Sequence, residues 1–181
     1  MNTANKLTML RVAMIPLFLV LLYLDFHGHQ IAALVVFIVA SCTDFVDGYI
    51  ARHYNQTTDF GKFMDPLADK VLVTAAMLWF VEVGLMPAWA LAIVIAREFA
   101  VSGLRMIASG RGTVIAAAWS GKVKTASTMV CICLMLLPLP WAQPAPRVLN
   151  WVCVAVIVVT TVYSGIEYFI KNKTAIDWTN L

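Results

Sequence analysis

Residues 31–69 read IAALVVFIVASCTDFVDGYIARHYNQTTDFGKFMDPLAD, and the fold follows from how this stretch divides. An apolar run over 31–51 gives way to the polar segment Asn55-Gln56-Thr57-Thr58-Asp59, and a second apolar run follows over 63–84. Each run is about 20 residues long, the length of helix that crosses a hydrocarbon core of roughly 30 Å. Backbone groups inside lipid must be satisfied within their own segment, so each run is read as helix. Working outward, four more apolar runs lie at 10–25, 87–109, 120–138 and 147–170. Their separators are His27-Gly28-His29, Gly84 to Pro87, Gly110-Arg111-Gly112 and the proline-rich Pro138 to Pro146. The expectation is an all-α integral membrane protein of six transmembrane helices. A short N-terminal interfacial helix over 2–9 precedes them, and residues 1–181 form one domain.

Composition points the same way. Of 181 residues, 61% are hydrophobic and 13% charged, against about 25% charged in a soluble domain. Too few charges remain to solvate a globule, so much of the surface must face lipid. The four cysteines, Cys42, Cys131, Cys133 and Cys153, sit inside apolar runs and read as apolar packing, not as a disulfide framework. No small-residue cleavage site follows the first run, where Leu24-Asp25-Phe26-His27 stand instead, so residues 1–24 read as a retained span. No nucleic-acid partner is expected.

Cations set the orientation. With the N-terminus in the cytoplasm, Lys6, Arg11, Arg52, Lys62, Lys70, Arg97, Arg105, Arg111, Lys122, Lys124, Lys171 and Lys173 fall at inner ends, and Arg147 alone falls outside. Both termini are therefore expected in the cytoplasm. Tryptophans such as Trp79, Trp89, Trp119, Trp141 and Trp151 are read as interfacial anchors near span ends.

Four of the ten acidic residues lie close together: Asp44 and Asp47 at the inner end of the second run, Asp65 and Asp69 at the start of the third. Spacings of three and four place each pair on one helix face, and the connecting turn lets the two faces meet. Converging carboxylates repel one another unless a cation joins them. An all-oxygen set without His or Cys favours magnesium, manganese or calcium over zinc. A solvated interfacial turn would account for one such aspartate, less well for four in paired registers among Phe45, Val46, Phe63 and Leu67. Gly48 and Gly61 remove side chains where a ligand or helix could come close. Arg52 can offer a planar guanidinium to a phosphate.

Read together, Asp44-x-x-Asp47-Gly48-x-x-Ala51-Arg52, eight residues, Gly61, three residues, Asp65, three residues and Asp69 resemble the full signature of the CDP-alcohol phosphatidyltransferase family. The resemblance implies a six-span homodimer with its active site open to the cytoplasmic leaflet. It implies that Asp44, Asp47 and Asp65 hold two divalent ions, magnesium or manganese, and that Asp69 shares in metal binding and acts as general base. It also implies that Gly48, Ala51, Arg52 and Gly61 contact the CDP part of the donor.

A second charged constellation comprises Arg97-Glu98 within the fourth run, Arg105 two turns on, and Lys122 and Lys124 opening the fifth. These cations suit an acceptor that carries its own phosphate; attraction to anionic lipid is the alternative. Burying Arg97 needs a partner, either Glu98 or a substrate phosphate. Residues 95–105, 121–125 and 64–70, with Asn5-x-x-Thr8-x-x-Arg11, resemble the glycerol 3-phosphate-using branch of the family in bacteria. That implies CDP-diacylglycerol plus glycerol 3-phosphate giving phosphatidylglycerol phosphate and CMP at the cytoplasmic membrane, with Asn5, Thr8 and Arg11 framing the nucleotide. Other acceptors compete: phosphatidylglycerol, as in a cardiolipin synthase, or serine, which lacks the phosphate these cations suit. A divalent-cation transporter would spread its carboxylates toward mid-bilayer over several spans; here they gather at one edge.

Overall fold

The structure, a computed structural model, describes residues 3–24, 26–53, 59–110, 115, 118–138 and 145–173. Within these, the side chains of 3–8, 44–53, 59–63, 65–66 and 145–147 fall outside the description. Among the described residues the chain is all helical: α1 (Thr3–Tyr23), α2 (His29–His53), α3 (Asp59–Glu82), α4 (Ala88–Gly110), α5 (Trp119–Leu136) and α6 (Ala145–Lys171). Apart from the start of α1, the helices match the apolar runs to within about four residues.

The punctuation has local causes. Gly28 and Gly84 take φ of 89° and 76°, left-handed values that cost a side-chain-bearing residue about 1–2 kcal/mol. Gly28 turns the chain into α2, where the Ala32 N–H donates to the Gly28 carbonyl at 3.1 Å. Gly84 follows the end of α3, and Pro87 stands just before α4, where a missing N–H costs nothing.

One expectation fails here. Residues 2–9 do not form a separate interfacial helix: α1 runs unbroken from Thr3 and accommodates Pro16 within it. Between Thr3 and Met9 there is no glycine or proline to interrupt a helix already propagating.

The chain falls into two compact units. The first comprises Met1–Glu82 with Ile132–Ala142, the second Val83–Cys131 with Gln143–Leu181. In the first, α1 packs against α2 and α3, and α2 touches α3. Arg11, Ile15, Phe18 and Leu22 form the buried stripe of α1, with the spacing of one helix face. The Phe18 and Phe37 rings lie 5.7 Å apart, tilted by 46°, and neither is exposed. Phe18→Ala should therefore cost on the order of 3 kcal/mol. Thermal unfolding in detergent checks this, with the exposed Val20→Ala as a near-neutral comparison.

In the second unit α4 packs on α6, and α6 is apolar on both sides. Its buried side carries Cys153, Val154 and Ile157 with Thr161, Ser164 and Tyr168, while Val148, Val152, Val159, Ile166 and Ile170 are exposed. Ser164 Oγ donates to the Thr161 carbonyl at 3.1 Å, satisfying a buried hydroxyl within its own helix. Among the described residues, Val148–Lys171 is long and apolar enough to cross a membrane, and Met9–Tyr23 and His29–Thr43 are shorter apolar stretches. Trp89, Trp119 and Trp151 are exposed, as anchors would be. Trp79 is not: it is buried in the first unit beside Phe80, at 5.7 Å between rings. The four cysteines are free thiols, with Cys42 exposed and Cys131 and Cys153 buried.

Candidate active site

Helix order and one contact between helix ends gather the aspartate positions at one depth. The Tyr23 hydroxyl donates to Glu82 Oε2, so the C-terminal ends of α1 and α3 lie together, and α2 starts from that same end after the Gly28 turn. At about 1.5 Å per residue from that end, Asp44, Asp47, Asp65 and Asp69 lie roughly 22, 27, 25 and 20 Å along their helices. All four positions thus share a band only about 7 Å deep, on two helices in contact. Asp69, half-buried, is the one whose side chain is described. The side chains of Asp44, Asp47, Gly48, Ala51, Arg52, Gly61 and Asp65 lie outside the described residues, as do those of Asn5 and Thr8. The donor set, four carboxylates with no soft ligand, fits a hard divalent cation.

Arg11 belongs to the same unit and is fully buried. It stands on α1 about 18 Å from the shared end, level with Asp69 and Asp44. Its helix packs against both aspartate-bearing helices. The sequence places the arginine in Asn5-x-x-Thr8-x-x-Arg11, the set expected to frame the nucleotide.

The second unit holds the other constellation. Arg97 Nη1 donates to Glu98 Oε1 at 2.9 Å, and Lys124 Nζ donates to the same oxygen at 2.7 Å. Arg97 thus has the Glu98 partner that the sequence called for, and α5 supplies a second cation. Arg97 Nε is buried and has no hydrogen-bond partner among the described residues. Lys122 and Lys124, two apart on α5, point differently: Lys124 is buried on Glu98, whereas Lys122 is exposed with Nζ 5.9 Å from the Trp119 ring centroid. Arg105 is about 12 Å along α4 from Arg97 and donates from Nε to the Tyr168 hydroxyl at 2.8 Å, its guanidinium 5.4 Å from the ring centroid. Tyr168 packs with Val101 and Leu104. Tyr168→Phe should keep the ring contact and lose the hydrogen bond, lowering stability by about 1 kcal/mol in a denaturation experiment.

The chain is thus a set of apolar helices with four aspartate positions in one band on α2 and α3. The sequence model of the CDP-alcohol phosphatidyltransferase family matches residues 1–163, and the chain belongs to that family. Among its relatives is the CDP-diacylglycerol–glycerol-3-phosphate 3-phosphatidyltransferase of Bacillus subtilis, 42% identical with 99% of each chain covered. The Escherichia coli K12 protein of the same name is 39% identical, covering 92% of each chain. A probable phosphatidylglycerophosphate synthase of Mycobacterium tuberculosis is 40% identical over 92% of this chain and 79% of its own.

Proposed function

We propose that this chain transfers the phosphatidyl group of CDP-diacylglycerol to glycerol 3-phosphate, releasing CMP and forming phosphatidylglycerol phosphate for phospholipid synthesis. The observation that carries the reading is the aspartate band, whose four members fill the family signature on two touching helices. The relatives' names supply the donor and acceptor.

Asp44, Asp47, Asp65 and Asp69 would hold two divalent ions, magnesium or manganese, which would supply charge neutralisation for the pyrophosphate and the leaving CMP. The chain's own residues do the rest. Gly48, Ala51, Arg52 and Gly61, with Asn5 and Thr8, frame the CDP group. Asp69 takes the proton from the acceptor hydroxyl. The freed oxygen forms a bond to the lipid-linked phosphorus as the bond to the CMP oxygen breaks. Arg97, Arg105, Lys122 and Lys124 receive the acceptor's phosphate; the partnerless Nε of Arg97 supports this.

The six helices act as six spans of one catalytic domain, forming a homodimer in the bacterial cytoplasmic membrane. Both termini and the active site face the cytoplasm, in keeping with twelve of thirteen cations at inner ends. The apolar outer face of α6 supports a lipid surround.

The test is CMP release by detergent-purified protein given CDP-diacylglycerol and magnesium, with glycerol 3-phosphate, phosphatidylglycerol, serine or no acceptor. Release that requires glycerol 3-phosphate is expected. Release that responds instead to phosphatidylglycerol or serine would keep the family and overturn the acceptor.

A further inference from the structure

Glu98 has no part in the reaction as written above, yet it organises the cations that meet the acceptor. One oxygen, Oε1, accepts from both Arg97 Nη1 and Lys124 Nζ. The exposures of the three side chains, 14% for Arg97, 25% for Glu98 and 7% for Lys124, shield these pairs from competing water. Adjacent residues on a helix do not face each other, so Arg97 reaches Glu98 only by folding its long stem back along α4. Gly165 on α6 makes room for that fold: a Cβ there would stand 3.1 Å from Arg97 Cγ. Gly121 on α5 borders the tip, where a Cβ would make an ordinary contact at 3.8 Å from Arg97 Nη2.

The consequence is a division of the guanidinium. Nη1 is committed to Glu98, while Nε is buried without a partner among the described residues and Nη2 lies beside Gly121. Nε and Nη2 form one edge of the fork, the geometry that takes an oxyanion through two parallel hydrogen bonds. Two cations on one carboxylate also leave positive charge over, which a phosphate completes.

We propose that Glu98 is a positioning residue for acceptor selection. By holding Arg97 Nη1 and Lys124 Nζ on one oxygen, with Gly165 admitting the Arg97 stem, it turns the Nε/Nη2 edge toward the phosphate monoester of the acceptor. This inference rests on the reading that a phosphorylated alcohol is the acceptor.

Steady-state kinetics of the full-length protein in detergent test it, with KM measured separately for glycerol 3-phosphate and for CDP-diacylglycerol. Glu98→Gln should raise the KM for glycerol 3-phosphate about tenfold or more, while the KM for CDP-diacylglycerol stays within about twofold. Glu98→Asp should recover part of the loss because it keeps the charge. Gly165→Ala changes no charge but crowds the stem, and should raise the same KM by about threefold. A structural role would move both KM values or only the yield of folded protein. Should Glu98→Gln fail to fold, an unchanged KM for glycerol 3-phosphate in Glu98→Asp and Gly165→Ala overturns the proposal. If wild type saturates with glycerol 3-phosphate and the variants match it, the role of Glu98 falls alone. If wild type ignores glycerol 3-phosphate, the acceptor reading falls and this one with it.

Discussion

Replacing Asp69 with asparagine should lower turnover by about 10²–10⁴-fold, the range a general base contributes, while CDP-lipid binding largely persists. Asparagine keeps the size of the side chain and one carbonyl oxygen, so the half-buried position on α3 is not emptied. What disappears is the capacity to take a proton from an alcohol that is a poor nucleophile at neutral pH. Asp65→Asn, one turn earlier, should behave differently. It removes a hard ligand, so activity falls but returns in part with excess magnesium or manganese, and a chelator abolishes it as it does in wild type. Metal titrations of CMP release for the two variants, with CDP-lipid binding measured alongside, separate the roles. Turnover of Asp69→Asn near the wild-type rate would remove it as the base.

The helices were legible because each is a run of about 20 mostly apolar residues closed by a polar, glycine or proline break. The aspartate register was legible for a related reason, since spacings of three and four fix a helix face whatever the tertiary packing. Depth was not stated by any single motif, but it follows once the Tyr23–Glu82 bond gives α1 and α3 a common end. The misjudged features depend on packing. The continuity of α1 through residues 3–9 turned on the absence of a breaker, a weaker signal than the presence of one. Trp79 has the composition of an interfacial anchor, yet it is buried beside Phe80 because the helix turns that face inward.

The candidate site shows the same limit. Glu98 was foreseen as a partner for its neighbour Arg97, a one-residue relation readable along the chain. Its bond to Lys124, 26 positions away, and the room that Gly165 leaves for the Arg97 stem belong to the packing of α4, α5 and α6. Nothing in the spacing announces either. The separation of Lys124 from Lys122 could have been anticipated, since residues two apart on a helix point in different directions; grouping them by charge obscured it.

Arg97→Ala should cut kcat/KM for glycerol 3-phosphate by about a hundredfold, or roughly 2.7 kcal/mol of transition-state stabilisation, with little change in affinity for CDP-diacylglycerol. Removing one partner of a shielded ion pair usually leaves a costly lone charge. Here it does not, because Lys124 Nζ still sits 2.7 Å from Glu98 Oε1, and α4 and α5 stay joined through a neutral pair. The melting temperature in detergent should therefore fall by only a few degrees, and the kinetic loss can be assigned to the acceptor. Arg97→Lys should recover little of it. An ammonium satisfies Glu98 or the phosphate as a point charge, but it has no second edge to serve both at once. The pair of substitutions separates charge from geometry. If lysine restores activity, the site needs only a cation. If neither substitution affects glycerol 3-phosphate kinetics, Arg97 is a packing element of α4 and the acceptor's phosphate binds elsewhere.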